Sequence, residues 1–542
     1  MKKAYLNELQ SQLTGHVTES KEARDYFSTD GSIFTMEPEA IVYPKNTADV
    51  RKTVAFLAER AASGKKIGLI GRGRGTDQGG GAVGHGIQMV FPAHMDKLLR
   101  LDKDTVTVQP GILYKTLQQT LHTHGRFLPP YPSSINFSTL GGAVANNACG
   151  EKTFKYGATR DYVKSLKVVL SDGSLIETHR ISARELNRKK GQSDLEGQIY
   201  RQVDSLILDH EDLIAKHQPH TSKNAAGYAL GRVRGKDGSF DLGQVIVGSQ
   251  GTLGLVTEIT FKTMAWNPRT TLLVGFFDDL KKAGLAITKL APLGPSAMEL
   301  ADYHLLDFLR KHRPQDIEGL VPETLPKIIV LVEFDETSQL SQTIHSKRAG
   351  RLLAKYAASY RVSTDPVEQE ALWKIRRSAA AVIWMNDGPK KALPFIEDGV
   401  VPAAKLPEFL EKTYKLLNKY ELEIAVWGHA GDANLHMQPF LDLSKKKDVD
   451  KLFDLSREFF DMVIAMGGST CAEHNDGLMR APYLQKLYGP EMYDLFLATK
   501  RIFDPLDFLN PNKKVNVTEE YARQFVRSEY SMKHLYDHLT YN

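Results

Sequence analysis

The sequence predicts an α+β protein built from two domains that meet near residue 266, and three observations predict it. At 542 residues the chain exceeds the roughly 250–300 residues at which a single core stops growing. Between residues 67 and 263, short β-rich runs alternate with glycine-rich turns. After Trp266-Asn267-Pro268 the pattern changes to apolar strands separated by long amphipathic helices.

Residues 67–70 are apolar and run into GRGRGTDQGGGAVG, so a strand ends in a flexible loop. Residues 105–108 alternate apolar and polar, as a half-buried strand does. Residues 166–170 lead into the turn Ser171-Asp172-Gly173, and residues 245–247 read as another strand entering GSQGTLG. In the second half, residues 271–276 and 327–334 read as strands of an antiparallel sheet. Leu406, Phe409, Leu410, Leu416 and Leu417 recur at helical spacing after Pro402 and mark an amphipathic helix. No repeat of fixed period and no low-complexity tract interrupts the pattern.

Composition removes several function classes. With 42% hydrophobic and 25% charged residues the chain is globular rather than disordered. A net charge of +5, spread along the chain, argues against a nucleic-acid surface. Cys149 and Cys471 supply neither a disulfide framework nor a four-thiolate cluster. Lys2 and Lys3 are followed by no apolar stretch that could serve as a signal peptide, and no run of about 18 apolar residues occurs. The expectation is a cytoplasmic protein with at most peripheral contact with the inner membrane.

Residues 71–84 contain seven glycines, which let backbone N–H groups close on a diphosphate. The loop is not a P-loop, because Gly-Lys-Ser/Thr is missing. Nor is it a dinucleotide fingerprint, since Gln78 stands where the last glycine belongs and IQMVFPAHMDKLLRL reads as strand and loop. Two more small-residue segments follow, PYPSSINFSTLGGAVANNACG and GSQGTLGLVTE. Three such loops in one domain suit an elongated ligand threaded along the fold.

These segments, with YGATRDYV, resemble the successive FAD-contacting motifs of the vanillyl-alcohol-oxidase (PCMH-type) flavoproteins, and the second half is similar to the C-terminal domain of FAD-linked oxidases. The similarity runs from about residue 40 to 515 and is nearest to glycolate oxidase D-subunits, D-lactate dehydrogenases and D-2-hydroxyglutarate dehydrogenases. It implies a helical lead-in at 1–36, a PCMH-type FAD-binding domain of two α+β subdomains at 37–265, an α+β cap domain at 266–490, and a segment at 491–542 that returns to the flavin domain. It further implies that Gly73, Arg74, Gly75, Thr76, Asp77 and Gly79 wrap the pyrophosphate. Pro132, Ser133, Ser134, Thr139, Gly141, Gly142 and Asn146 would line the flavin channel. Gly251, Thr252, Leu253, Gly254 and Val256 would close it, and Asn510 would come back to it. Arg74, Gln250 and Asn475 depart from the glycine, glutamate and glycine common in relatives. Gly75-Thr76-Asp77 lacks the histidine that carries flavin covalently in some members, so FAD is expected to bind non-covalently.

His429 and His436 lie seven apart in IAVWGHAGDANLHMQPFL. On one helix they would sit about 10 Å apart along the axis, and on one strand they would face opposite sides. A hairpin with strands at residues 424–428 and 435–441, turning at AGDAN, would instead make the imidazoles neighbours. Glu473-His474 adds a carboxylate and a third imidazole, a donor set open to Zn²⁺, Mn²⁺ or Fe²⁺. The resemblance implies that His429, His436 and Glu473 are metal ligands, that His474 takes the substrate hydroxyl proton, and that Arg376, with Arg480 second, binds a substrate carboxylate.

The expected function is oxidation of a small D-2-hydroxy acid (lactate, glycolate or 2-hydroxyglutarate class). Electrons would leave to an external acceptor: quinone, cytochrome, a separate iron–sulfur protein or oxygen. Long bacterial relatives carry an added iron–sulfur domain for which this chain lacks cysteines. A homodimer is compatible with this reading. Rivals are a metal-dependent hydrolase using the same cluster, a flavin-binding subunit of a multi-subunit oxidase, and a family member acting on an alcohol or glycerone phosphate. The tail VTEEYARQFVRSEYSMKHLYDHLTYN suggests no function.

Overall fold

The computed structural model describes residues 3–377, 388–422 and 424–536. The end of the LWKIRRSAA run, the last residues of the tail and Lys2 lie outside them. The first half carries two sheets. One joins His16–Thr18, Ala40–Tyr43, Ile87–Val90 and Leu69–Arg72 in that order, parallel except for its first pair. The other is antiparallel and runs Leu98–Leu101, Thr105–Val108, Leu255–Lys262, Val163–Val169, Leu175–His179. This is the expected pair of α+β subdomains.

The second half is organised on one antiparallel sheet, with strand order Ser359–Ser363, Thr271–Phe277, Ile328–Phe334, Ala297–Asp302, Val426–His429, Asn434–Met437, Gly399–Val400. Thr271–Phe277 and Ile328–Phe334 are buried at every position, which explains why they read as continuous apolar runs. The helix Leu406–Lys419 buries Leu406, Phe409, Leu410 and Leu417 on one face, while Leu416 is only partly buried. Pro407 sits in its first turn, where the missing N–H has no partner to lose.

One expected strand is absent. Residues 245–247 fall in and just after the short helix Gly243–Ile246, whose start is held by Gly243 N–H donating to Asp241 Oδ1 (3.0 Å). A short apolar run is compatible with either state, and here a local side-chain bond decides it. At the other end of the chain, Leu509 bridges in parallel to Leu69 and Asn510 N–H donates to Leu69 C=O (2.8 Å). The C-terminal segment thereby lies along the strand that feeds the first glycine loop. Among the described residues no helix is long and apolar enough to cross a membrane.

Phe409 is wholly buried, so Phe409→Ala should cost about 3–5 kcal/mol of cap-domain stability. Thermal or urea unfolding followed by cap-domain tryptophan fluorescence measures it, and an unshifted transition would contradict the packing described.

Candidate active site

The three glycine-rich segments meet along one cleft. It is lined by Gly73, Arg74, Gly75, Thr76 and Asp77 from the first, by Pro132, Ser133, Ser134, Thr139, Gly141, Gly142 and Asn146 from the second, and by Gly251, Gly254 and Val256 from the third. Asp77 fastens them together. Its Oδ2 accepts the N–H groups of Gly79 (3.0 Å) and Gly81 (2.7 Å), while Oδ1 accepts Asn146 Nδ2 (2.7 Å) and Gln250 Nε2 (3.5 Å). Gln250 also donates to Asn146 Oδ1 (3.2 Å).

Four expected contacts stand behind this lining instead. Gly79 C=O accepts the N–H groups of Leu478 and Met479, so it belongs to a seam with the histidine segment. Thr252 Oγ1 is bonded to the Tyr228 hydroxyl (2.7 Å), and Leu253 is a fully buried core residue. Asn510 Nδ2 donates to Gly81 C=O (2.9 Å) and Gln250 C=O (2.7 Å), clamping the first loop to the third.

The cleft suits a diphosphate dinucleotide. Gly75 has φ +71°, and a Cβ there would meet the Arg72 guanidinium at 2.1 Å, so only glycine keeps the loop in place. Arg74 Nε and Ser138 Oγ are buried on the cleft wall with no partner in the protein, two donors that an anionic ligand would satisfy. Arg74 therefore adds charge where a glycine would add only room.

The same cleft is also lined by Glu473 and His474. Strands Val426–His429 and Asn434–Met437 form the expected hairpin, with Trp427 opposite His436 and His429 opposite Asn434. The two imidazoles are thus diagonal neighbours on one face, with ring centroids 5.2 Å apart, and His474 stacks 5.0 Å from His436. All three Nε2 atoms converge on Glu473 Oε1, at 3.0 Å (His429), 3.2 Å (His436) and 3.5 Å (His474). Their Nδ1 atoms are held from behind, His429 by Glu299 (2.7 Å) and His436 and His474 by Glu397 (3.2 and 2.6 Å). A carboxylate behind each imidazole is the arrangement that orients metal-ligating histidines.

Burial holds the His436 imidazole down at about 4 against the pull of Glu473, which keeps it neutral and able to ligate. For His429 burial acts the same way, but Glu299 and Glu473 outweigh it and raise its pKa. Burial also disfavours ionised Glu473, yet His429 and Lys223 hold its carboxyl well below the usual range.

Charge gives a further test of fit to a cation. Among the described residues, the buried carboxylates Glu299, Glu397, Asp398, Asp432 and Glu473 face the buried cations Lys223, Arg376 and Arg480. The carboxylates outnumber these cations, and the His429 imidazole, its pKa raised against burial by Glu299 and Glu473, shares in balancing the excess that a bound cation would otherwise meet. His429, His436 and Glu473 place ligand atoms within 4.8 Å of one another, as do Glu397, Asp398, His436 and His474.

Neither arginine singled out in the sequence stands free. Arg480 is fully buried, ion-paired to Glu397 and donating to Asn475 C=O (2.9 Å), so it supports the histidine wall rather than facing ligand. Arg376 Nη2 pairs with Glu299 Oε2 (2.8 Å), but its buried Nε has no partner. Glu299, Glu397, Asp398 and Lys223 went unrecognised in the sequence. The run Ile396-Glu397-Asp398-Gly399, two acids between apolar residues and glycine, was the available signal. Glu299 and Lys223 gave none.

Residues 38–179 match the FAD binding domain family, and residues 267–514 match the family of FAD linked oxidases, C-terminal domain. The chain belongs to the FAD-linked oxidases. This oxidase is 28% identical to glycolate oxidase subunit GlcD of Bacillus subtilis over 88% of each chain, and 27% identical to D-lactate dehydrogenase of Archaeoglobus fulgidus over 88% and 91%. It is 28% identical to D-2-hydroxyglutarate dehydrogenase of Escherichia coli over 94% of its own length, yet spans only 51% of that protein. Its fold is that of 4-ethylphenol oxidase from Gulosibacter chungangensis (TM-score 0.68, 14% identity, 95% and 97% covered) and of p-cresol methylhydroxylase, with the same values. The oxidase therefore has the PCMH-type architecture.

Glu397→Gln keeps volume and removes the charge behind two imidazoles. It should lower the affinity of the His/Glu cluster for divalent metal by about 10- to 100-fold, read as metal retained after dialysis against a graded chelator. Retention equal to the parent's would remove Glu397 from the site.

Proposed function

We propose that this oxidase removes two electrons and two protons from a small D-2-hydroxy acid, giving the 2-oxo acid. One observation carries the reading: Glu473 and His474 line the same cleft that the three glycine-rich loops line. A dinucleotide held by the loops and a substrate held by the imidazoles would share one space. The named relatives act on glycolate, D-lactate and D-2-hydroxyglutarate by their names, which supports this substrate class.

FAD, held non-covalently by Gly73–Asp77, Ser133, Ser134, Thr139, Gly141, Gly142 and Asn146, supplies the two-electron acceptor for the α-hydrogen. A divalent cation on His429, His436 and Glu473 supplies a Lewis acid that favours loss of the hydroxyl proton. His474 is the residue placed to take that proton. Its side chain is 27% exposed, against 5% and 6% for His429 and His436. With Nδ1–H donating to Glu397, Nε2 carries the free lone pair, and the imidazolium that forms stays beside that carboxylate. Arg376, whose Nη2 pairs with Glu299 Oε2 (2.8 Å), is assigned to the substrate carboxylate, for which a guanidinium fork is well shaped. Arg480 acts only through Glu397. The electrons then pass to an external acceptor.

Anaerobic mixing of the holoenzyme with a panel of D- and L-2-hydroxy acids should bleach flavin absorbance with D-acids. His474→Ala should slow bleaching by roughly 10²–10⁴-fold while retaining FAD. A parent enzyme that no hydroxy acid bleaches, or a His474→Ala variant at full rate, would sink the assignment. Denaturation should release the flavin to the supernatant, and flavin left on the precipitated chain would show a covalent link instead.

A further inference from the structure

Two neighbouring helices, Leu280–Leu290 and Gln339–Tyr356, pack on each other and on the cap strand Thr271–Phe277. Neither contains an Asp or a Glu, yet the shorter carries Lys281, Lys282 and Lys289 and the longer Lys347, Arg348, Arg351 and Lys355. With about 3.6 residues per turn, the four cations of the longer helix share an arc of about 100° with Leu340 and Ile344. That arc faces solvent: Leu340 is 71% exposed and Ile344 41%, while Gln342, Ala349, Gly350 and Leu353 are buried. On the shorter helix Leu285, 49% exposed, stands on the same side as Lys281 and Lys289.

These cations are left to solvent. Among the described residues no carboxylate pairs with Lys289, Lys347, Arg348, Arg351 or Lys355. The acids in the adjoining chain are spent elsewhere: Asp279 accepts the N–H groups of Lys281 (2.8 Å) and Lys282 (3.0 Å), and Glu336 holds His345 (2.7 Å). Lys281 meets Glu411 at 3.8 Å, an exposed pair worth little. Unpaired cations interspersed with projecting apolar side chains match a surface that carries negative charge over an apolar interior. Anionic phospholipid is such a surface. Its headgroups would meet the ammonium and guanidinium groups, while Leu285, Leu340 and Ile344 enter the boundary with the acyl chains. An acidic protein surface would match the charge but press those three side chains against carboxylates.

The face lies on the far side of the cap sheet from the histidines. A Cβ on Gly275 would meet Leu353 Cδ2 of the longer helix at 2.7 Å, so Gly275 fronts the helices. Gly275 pairs with Val330 and Val330 with Leu300, which carries that side across the sheet. Alternation then turns Glu299 and Ala301 to the opposite side. His429 joins Glu299 there (2.7 Å), and His436 follows because it pairs with Trp427, the partner of Ala301. We propose that the helices Leu280–Leu290 and Gln339–Tyr356 dock the protein peripherally on an anionic bilayer, leaving the cofactor cleft open to solutes. The assignment does not depend on the substrate.

The test is co-sedimentation of the full-length holoenzyme with vesicles of phosphatidylcholine alone and of phosphatidylcholine mixed with phosphatidylglycerol. The parent should sediment with the mixed vesicles, stay in solution with phosphatidylcholine alone, and dissociate as salt is raised. Lys347→Gln, Arg348→Gln, Arg351→Gln and Lys355→Gln combined should weaken binding at least tenfold, since each basic residue contributes roughly fivefold. Leu340→Ser with Ile344→Ser should weaken it while leaving its salt dependence in place. Lys289→Gln with Leu285→Ser should weaken it from the neighbouring helix. Every variant should keep its FAD, read from flavin absorbance, because none of these side chains lines the cofactor cleft. Equal binding to both kinds of vesicle, binding to neither, or a combined Gln variant at parent affinity overturns the proposal. Binding to polyglutamate with both kinds of vesicle left unbound also overturns it, and would make the face a protein-docking surface.

Discussion

The site depends on a hydrogen-bond node of three side chains, one from each glycine-rich segment. Glycines allow a loop to approach an anion but do not fix where the loop stands, since their conformational freedom is what makes them useful. Asp77, Asn146 and Gln250 supply the missing constraint. Asp77 organises its own loop through Gly79 and Gly81 and reaches out to Asn146 and Gln250. Charge-assisted bonds to a buried carboxylate are stronger than neutral ones, so the node is a stiff point in an otherwise pliable wall. Gln250 then passes the constraint on, because its Oε1 accepts Gly477 N–H (3.0 Å) from the histidine-bearing segment.

The histidine cluster is governed by a different balance. Five buried carboxylates around three imidazoles would be untenable without compensation, given what an unpaired buried charge costs. Lys223, Arg376 and Arg480 each cancel part of it, and each comes from a different stretch of chain. Lys223 belongs to the flavin half yet ends 3.0 Å from Glu473 Oε2, so Oε1 is the oxygen left to the imidazoles. The residual negative charge makes the cluster receptive to a cation, and the backing carboxylates keep each imidazole facing inward. The arginines that looked like substrate binders in isolation are drawn into this balance, Arg376 through Glu299 and Arg480 through Glu397.

How much of this was legible in sequence follows from which interactions are local. The hairpin at His429 and His436 was readable because strand alternation and a turn lie within a dozen residues. The glycine loops were readable because composition alone marks them. Residues 245–247 misled because one side-chain bond from Asp241, invisible to periodicity, tips a short apolar run into helix. Glu299 and Lys223 were unreadable for another reason: each meets its partners across long stretches of chain, and nothing in the neighbouring sequence distinguishes it from a surface charge. Gly79, Thr252, Leu253 and Asn510 stand behind the cleft lining, since a motif fixes a segment and not which of its residues face inward. Asn475 looked like a defect where glycine is common, yet at φ +65° it occupies the left-handed region that asparagine tolerates.

Asn475 also shows why the two halves of the site cannot drift apart. Its side-chain amide donates to Asn146 C=O (3.0 Å) and Gly248 C=O (2.9 Å), binding the residue after His474 to two of the flavin loops. Its Oδ1 in turn accepts Lys514 Nζ (2.6 Å), and Lys514 also donates to Gly248 C=O (2.9 Å) and pairs with fully buried Asp476 (2.7 Å). Breaking such a buried pair costs about 3–5 kcal/mol, because the partner is left charged and dry. A glycine at 475 would allow the same backbone turn but carry none of these bonds. The substitution therefore exchanges local freedom for a fixed distance between the His474 imidazole and the glycine-rich loops, and the C-terminal return at residues 510–514 is what locks that distance.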